Sequence, residues 1–414
     1  MCWALGVERL DALGARVAYL LAMDVPHSLV DKLRKLMEVS EVARFGPKLV
    51  TDAPCQEVVE TERPSLRELP VLQCWPGDGG RYITLPLVFT RDPATGKRNV
   101  GMYRLQMYDE RTLGMHWHIH KGGAEHFRHG QERSERLEVA IALGADPVTV
   151  YSGSCPLPPI VDEILFSGWL RRERVEMVRC KTIDLEAPAH AEIVLEGYVD
   201  PDERRTEGPF GDHTGFYSLE DEYPVFHLTA VTRRRDAIYP SIIVGRPPME
   251  DGPMGKATER MFLPIIRMLH PEIVDISIPP EGGFHNLVIV SVKKSFPGQV
   301  RKVMYGLWSM GLMMLTKNII VVDAEVDVSD PREVVWRVAN NIDPRRDVVF
   351  ADGPLDALDY AAPAPLFGSK MGIDGTRKTA LDGHTRPWPD EVTMTSEVRD
   401  VVARRWKEYG LRLE

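Results

Sequence analysis

The sequence predicts a multidomain α+β protein with a β-rich middle and an α/β C-terminal part. Two observations carry that prediction. Between residues 82 and 244, apolar and polar residues alternate in short runs bounded by turn residues, the period-two pattern of half-buried strands. After Pro253, longer segments of helical period alternate with short apolar runs, which argues for strand–helix units. A chain of 414 residues has room for two or three domains and a sizeable core.

In chain order, Leu10, Leu13, Val17, Leu20 and Leu21 give residues 7–22 a helical period, and 28–37 suits a second helix with Ser28 as N-cap. Proline-rich stretches at Ala53-Pro54-Cys55, Arg63-Pro64 and Cys74-Trp75-Pro76-Gly77 mark a passage between domains. Strands are expected at 82–90, 101–108, 115–120, 174–181, 191–199, 225–232 and 237–244, forming a barrel or sandwich. Helices at 132–143 and 162–170 interrupt them. Helices at 255–269, 299–315 and 331–339 then alternate with strands at 286–292, 318–322 and 347–350. A last helix, 397–409, is placed to pack on a neighbouring subunit. The expected divisions are 1–55, 56–250, 251–388 and 389–414.

Composition narrows the function classes. The net charge of -10 argues against general nucleic-acid binding, so the clusters Arg171-Arg172, Arg204-Arg205 and Arg233-Arg234-Arg235 are expected to be solvated loop charges. The five cysteines form no CxxC pair, which speaks against a disulfide framework or a structural zinc site and fits a reducing cytoplasm. No apolar run is long enough to span a bilayer, and the first residues lack the basic and apolar regions of a signal peptide.

Several residues could carry chemistry. His116, His118 and His120 share one face if their segment is a strand, which leaves a three-histidine metal site open. Asn99, one imidazole and Glu163 together offer an amide oxygen, a nitrogen and a carboxylate, a donor set for Mn²⁺ or Mg²⁺ beside a phosphate. Taken alone, Glu163 reads as a first-turn carboxylate at a helix N-terminus. Glu207 and Asp212 flank the turn Gly-Pro-Phe-Gly and could face one cavity with Arg104. Two carboxylates beside an arginine can hold a substrate carboxylate and tune an acid; a structural ion-pair network is the alternative. Lys121-Gly122-Gly123 and the segment Gly368-Ser369-Lys370-Met371-Gly372 are two small-residue loops, each with a lysine, that could meet a phosphate. Neither a GxGxxG fingerprint nor a GxSxG elbow is present.

The order of these pieces carries more than any one of them. NxGxYRxQ from Asn99 is followed by WxxHxGGA from Trp117, GADP from Gly144, a helix opening on Asp162-Glu163, EGPFGDHTGFYS from Glu207, GRPP from Gly245 and GSKMG from Gly368. Together they resemble the UbiD family of decarboxylases over essentially the whole chain. EGPFGDHTG and PEIVDISIPPEG (residues 271–282) favour the branch of the 4-hydroxy-3-polyprenylbenzoate and menaquinone-pathway enzymes.

The resemblance implies a central split β-barrel that binds prenylated FMN, a C-terminal α/β domain, and a shortened N-terminal α/β region. It implies Mn²⁺, with Mg²⁺ as the alternative and K⁺ as a further ion, held by Asn99, His120 and Glu163. Lys370 resembles the family lysine near the cofactor phosphate. Met102, Tyr103, Arg104, His116, Trp117, His118, Lys121 and Gly122 fall where the family contacts the cofactor. Arg104, Glu207 and Asp212 match the catalytic network, with Asp212 the acid that protonates carbon after CO₂ leaves. The implied partners are an aromatic or unsaturated acid as small-molecule substrate, a flavin prenyltransferase as cofactor supplier and further copies of the chain. The implied location is cytoplasmic, with peripheral membrane contact for a polyprenyl substrate. A soluble aromatic or heteroaromatic acid as substrate, and a flavin-binding homologue without activity, remain alternatives.

Overall fold

The alternating segments in the middle of the chain pair into one curled, half-barrel sheet. The computed structural model describes residues 2, 7–12, 14, 42–118, 121–157 and 161–410. In chain order the first strands are β1 (Lys48–Val50), β2 (Val58–Glu60), β3 (Arg81–Ile83), β4 (Leu87–Arg91), β5 (Arg98–Gly101), β6 (Leu105–Met107) and β7 (Thr112–Met115). Helix α1 (Gly122–Arg133) leads to β8 (Leu137–Leu143), then helices α2 (Pro147–Ser152) and α3 (Glu163–Arg171). Strands β9 (Glu176–Arg179), β10 (Glu186–Pro188), β11 (Ile193–Glu207) and β12 (Asp221–Arg233) complete this half. The large sheet runs β3-β6-β7-β12-β11-β8-β4-β5 with β2 joined to β12, and β1, β9 and β10 form a small second sheet.

Alternation explains why this sheet has two buried faces. Val139, Ile141, Leu195, Phe226 and Leu228 pack with Leu105, Leu113 and Met115 on one side. Phe89, Ala140, Ala142 and Val194 face the small sheet on the other, with Met177 and Ala187. A strand buried on both faces is apolar throughout and loses its visible period. This accounts for one correction: the helix expected at 132–143 is the end of α1 followed by strand β8. The strand expected at 237–244 does not form. That segment is fixed by side chains instead: Trp75 Nε1 donates to Val244 O at 2.8 Å, and Ile242 N donates to Thr84 Oγ1 at 3.1 Å.

After helix α4 (Gly252–Leu269) come β13 (Ile273–Ser277), β14 (Leu287–Val292), α5 (Gln299–Trp308), β15 (Asn318–Asp323), α6 (Pro331–Asn341), α7 (Pro344–Asp347), β16 (Val348–Pro354) and β17 (Phe367–Asp374). Their sheet runs β13-β14-β15-β17-β16, parallel in the middle and antiparallel at both edges. Val288, Val290, Ile319 and Val321 meet Leu263 and Ile266 of α4 and Val303 and Leu307 of α5 in one core. The helix expected over 299–315 stops at Trp308 and resumes as a 3-10 turn at Gly311–Leu315, where Gly311 has φ +46°. The loop expected at Gly368 to Gly372 is part of β17. Helix α8 (Ser396–Arg405) and the 3-10 turn Trp406–Tyr409 that follows it contain no buried residue.

Of the helix expected at 7–22, residues 7–12 and 14 are described: Asp11, Ala12 and Gly14 are helical, and 7–10 precede the helix with a bend and a turn. The one expected at 28–37 lies outside the described residues. Among the described residues no helix is long and apolar enough to cross a membrane.

Candidate active site

The β11–β12 hairpin brings the acidic residues to the arginine. Its register runs from Ile193 opposite Arg233 to Glu207 opposite Asp221, with irregularities after Glu196 and after Val199 that bend the pair. The loop between the two strands begins at Gly208, whose φ of +106° suits glycine. It is clamped by Gly211 N donating to Asp78 Oδ1 at 2.8 Å and by Ser218 N donating to Phe210 O at 2.8 Å. Arg104 precedes β6 and sits beside His116, which follows β7, because Leu105 and Met115 are cross-strand partners.

Arg104 is surrounded by acceptors. Nε and Nη2 donate to Glu207 Oε1 and Oε2 at 2.8 and 3.0 Å, Nη1 donates to Asp212 Oδ2 at 2.5 Å, and Nη2 also donates to Ser218 Oγ at 3.0 Å. Its guanidinium lies 4.7 Å from the centre of the Phe210 ring. A guanidinium has five N–H groups, so one on Nη1 is left for a ligand. Glu207 is fully buried. Burial alone would raise its carboxyl, but the hydrogen bonds from His116 and Arg104 and the Arg104 charge bring it to about 2. Burial likewise pushes Asp212 up, and its bond to His213 and the nearby positive charges hold it well below the usual carboxylate range.

His116 and His118 are bonded to each other in a chain that ends on Glu207. His116 Nδ1 is 3.1 Å from Glu207 Oε2, and His116 Nε2 is 2.8 Å from His118 Nε2. Burial and the Arg104 charge lower His116, and burial lowers His118 to about 4. With Glu207 ionised, neutral His116 donates through Nδ1 and accepts at Nε2, so His118 carries its proton on Nε2. Two nitrogens on one tetrahedral ion would lie roughly 3.3 Å apart; this pair is closer and bonded to itself. Strand β7 ends at Met115, before the histidines, and His120 lies outside the described residues. A second group, Asp200, Glu203 and His227, also converges, but its carboxylates are paired with Arg136 and Arg205.

Between the half-barrel and the C-terminal domain lies a cavity of about 680 Å³. Met102, Tyr103, Arg104, His116, His118, Lys121 and Asp212 line its barrel side. Beside it is a corner built by Asn99 of β5, Glu163 of α3 and the start of α1. Asp162 caps α3 and binds Arg98 through both oxygens, which leaves Glu163 without an ion-pair partner among the described residues. Burial pushes its carboxyl up to about 7. Val100 N donates to Glu163 Oε2 at 3.3 Å, and a Cβ on Gly122 would lie 2.1 Å from Asn99 Oδ1. A half-buried carboxylate without an ion-pair partner among the described residues, near an amide oxygen, fits a hard divalent cation. Burial lowers Lys121, and Gly122 opens helix α1, where Gly123 N donates to Tyr103 Oη at 3.3 Å; a lysine beside a helix N-terminus fits a phosphate.

Three expected contacts point elsewhere. Trp117 packs in the core on Tyr103 and Phe127. Lys370 lies on β17 outside the cavity lining, with Nζ on Met314 O and Thr316 O at 2.6 and 2.8 Å, and burial lowers it to about 8. Glu207 stands behind Arg104, not at the cavity wall.

Two family models match: the 3-octaprenyl-4-hydroxybenzoate carboxy-lyase Rift-related domain over residues 48–247, and the C-terminal domain of the same enzymes over 253–375. The chain belongs to the UbiD family. It is therefore a carboxy-lyase. An uncharacterized protein of Archaeoglobus fulgidus is 51% identical over 98% of this chain and 84% of its own length. Among solved structures, the UbiD-class enzyme HmfF of Pelotomaculum thermopropionicum in complex with FMN is 28% identical, with a TM-score of 0.80 over 96% of this chain and 84% of that one. An evolved dimeric form of HmfF holds prFMN (TM-score 0.76, 28% identity, 93% and 82% covered). The vanillic acid decarboxylase of Sedimentibacter hydroxybenzoicus in its closed form is 26% identical, with a TM-score of 0.80 over 97% and 87% of the two chains.

Sequence reasoning missed the part of this UbiD site that comes from within its own motif and from the far domain. Ser218 and His213 are in EGPFGDHTGFYS, yet only the glutamate and aspartate drew notice. Phe284, His285 and Asp356 enter the cavity from the C-terminal domain. They are isolated in sequence, and only domain packing gathers them.

Proposed function

We propose that this UbiD enzyme reversibly decarboxylates an aromatic acid carrying a long apolar substituent, of the 4-hydroxy-3-polyprenylbenzoate type, with prenylated FMN as cofactor. The cavity carries this reading. Its barrel side offers the charged Arg104 network, while its C-terminal side is lined by Phe262, Ile266, Ile276, Ile278, Met310 and Leu366. A carboxylate at one wall and an apolar chain along the other match those surfaces.

Roles follow from the donors. The remaining N–H of Arg104 orients the substrate carboxylate, and Glu207 and Asp212 keep the guanidinium fixed. The largely apolar walls exclude water and favour loss of a charged group as neutral CO₂. Prenylated FMN, when bound, supplies the electron-accepting group that no side chain here provides. Asn99 and Glu163, with His120, are the residues that would hold Mn²⁺ or Mg²⁺, and K⁺ would be a further ion. Lys121 and the N–H groups at the start of α1 would face the cofactor phosphate. A flavin prenyltransferase would supply the cofactor. We place the enzyme in the cytoplasm as a homo-oligomer, touching the membrane surface to collect a polyprenyl acid.

The likeness to vanillic acid decarboxylase favours a second reading, a small soluble aromatic acid as substrate. The test is CO₂ release by protein co-produced with a flavin prenyltransferase, with prenylated and unprenylated hydroxybenzoates compared. A higher kcat/KM for the prenylated acids supports the first reading; preference for the small acids supports the second.

A further inference from the structure

On the largely apolar C-terminal wall of the cavity, His285 and Asp356 stand together. They arrive from separate segments, one before β14 and one after β16. Gly283 and Phe284 take φ of +52° and +60°, a conformation that is costly for a bulky side chain and gathers at functional positions. The chain turns there, with His285 N donating to Gly283 O at 2.7 Å, and both Phe284 and His285 line the cavity.

Asp356 is only half satisfied. Its Oδ1 accepts from Leu358 N at 2.9 Å. Its Oδ2 has no hydrogen bond among the described residues, and its ion-pair partner, His285 Nε2, is 3.9 Å away, too far to bond directly. One oxygen about 2.8 Å from each atom fits that span. Other polar groups of this wall are already paired. Thr258 Oγ1 donates to Met254 O at 3.1 Å and meets Tyr151 Oη at 2.9 Å. Glu259 holds Lys256, Arg260 and Ile278 N. A polar pair enclosed in a cavity is costly unless a ligand completes it.

The chemistry of the pair selects the ligand group. A carboxylate oxygen accepts, and a neutral imidazole offers one N–H. Burial lowers His285 to about 4, so its ring is neutral near pH 7. A hydroxyl can give its hydrogen to Asp356 Oδ2 and accept the imidazole N–H. A carboxylate in the same place would meet Asp356. An ammonium would meet Lys121, which faces Asp356 from the barrel side.

We propose that His285 and Asp356 are specificity-determining residues that bind a hydroxyl on the substrate ring, at the side of the ring away from the carboxylate held by Arg104. The inference rests on the aromatic-acid reading above and holds for large and small acids alike. A ring hydroxyl satisfies both side chains, whereas an acid without one leaves Oδ2 and Nε2 unpaired.

The test measures Kd by calorimetry on protein loaded with FMN, the cofactor held by HmfF. The ligands are 4-hydroxybenzoate, its 3-prenyl derivative and the 4-methyl ether of each. Methylation removes the hydrogen that Oδ2 accepts. We expect wild type to bind each hydroxylated acid about tenfold or more tighter than its ether. Asp356→Asn can keep its amide oxygen on Leu358 N, and it then turns an N–H to the cavity, exchanging an acceptor for a donor. His285→Phe keeps a ring and removes both nitrogens. In each variant the ratio should fall to within about threefold, through weaker binding of the hydroxylated acid. A wild-type ratio near one overturns the proposal whatever the variants do, and so does a ratio left unchanged in either folded variant. CO₂ release by protein co-produced with a flavin prenyltransferase is scored separately. Hydroxyl-selective binding without CO₂ release would keep this subsite and remove the decarboxylase reading. CO₂ release with equal Kd for acid and ether would keep that reading and remove the subsite.

Discussion

Arg104 commits four of its five N–H groups to Glu207, Asp212 and Ser218, so each partner can be tested by what its loss leaves behind. Glu207→Gln removes the fully buried half of the ion pair and should destabilise the protein by about 3–5 kcal/mol, the usual cost of an uncompensated buried charge; urea unfolding measures it. The Glu207 carboxyl is at about 2 in the fold against an ordinary 4.5. As pH falls the unfolded chain takes up this proton first, so the stabilisation is whole above pH 4.5 and is lost as pH drops towards 2. Wild type should therefore lose stability over that window, and Glu207→Gln should lose less. Asp212→Asn should cut turnover about 10²–10⁴-fold while flavin absorbance of the purified protein is retained. An active Asp212→Asn enzyme would remove Asp212 from the chemistry altogether. The pairing of Arg104 with Glu207 and Asp212 was legible in the sequence because a Gly-Pro-Phe-Gly turn puts two acids close together. Their protonation was not, since it depends on burial and on contacts such as that of His116 with Glu207, which comes from a separate segment.

At the scale of elements, the long-period signals translated well. Helix α4, helix α3 with its Asp162 cap, and strands β14 and β15 lie within a few residues of expectation. Strand β8 did not, because its alanines and branched residues are buried on both faces and show no alternation. Lys370 sits on β17, where its neighbours Gly368 and Gly372 suggested a loop; β17 tolerates them because Leu355 and Met304 pack close over the missing side chains. The corner formed by β5, α1 and α3 makes a prediction of its own. Mn²⁺ should raise the Tm of the wild-type protein, by an amount equivalent to about 2.7 kcal/mol when the ion is at 100 times its Kd. Glu163→Gln should abolish that shift. An equal Mn²⁺ shift in the variant, read by thermal unfolding, would move the cation away from Glu163.

For the whole molecule, the cavity between the half-barrel and the C-terminal domain joins chemistry to selectivity. Its charged wall belongs to the barrel strands and the EGPFGDHTG loop, and its apolar wall to α4, β13 and the turns after α5. Ile278→Trp should fill the apolar side. The expected result is a loss of about tenfold or more in kcat/KM for acids with a long substituent, with small aromatic acids little affected; equal losses for both would show that the substituent does not run along this wall. The most direct test of the central claim is CO₂ release from prenylated hydroxybenzoate by protein co-produced with a flavin prenyltransferase, with the released cofactor identified by mass and absorption spectrum. The account predicts prenylated FMN in the protein and CO₂ release that disappears when the flavin is removed. Flavin-loaded protein that releases no CO₂ from prenylated or simple aromatic acids, or turnover that persists without flavin, would contradict it.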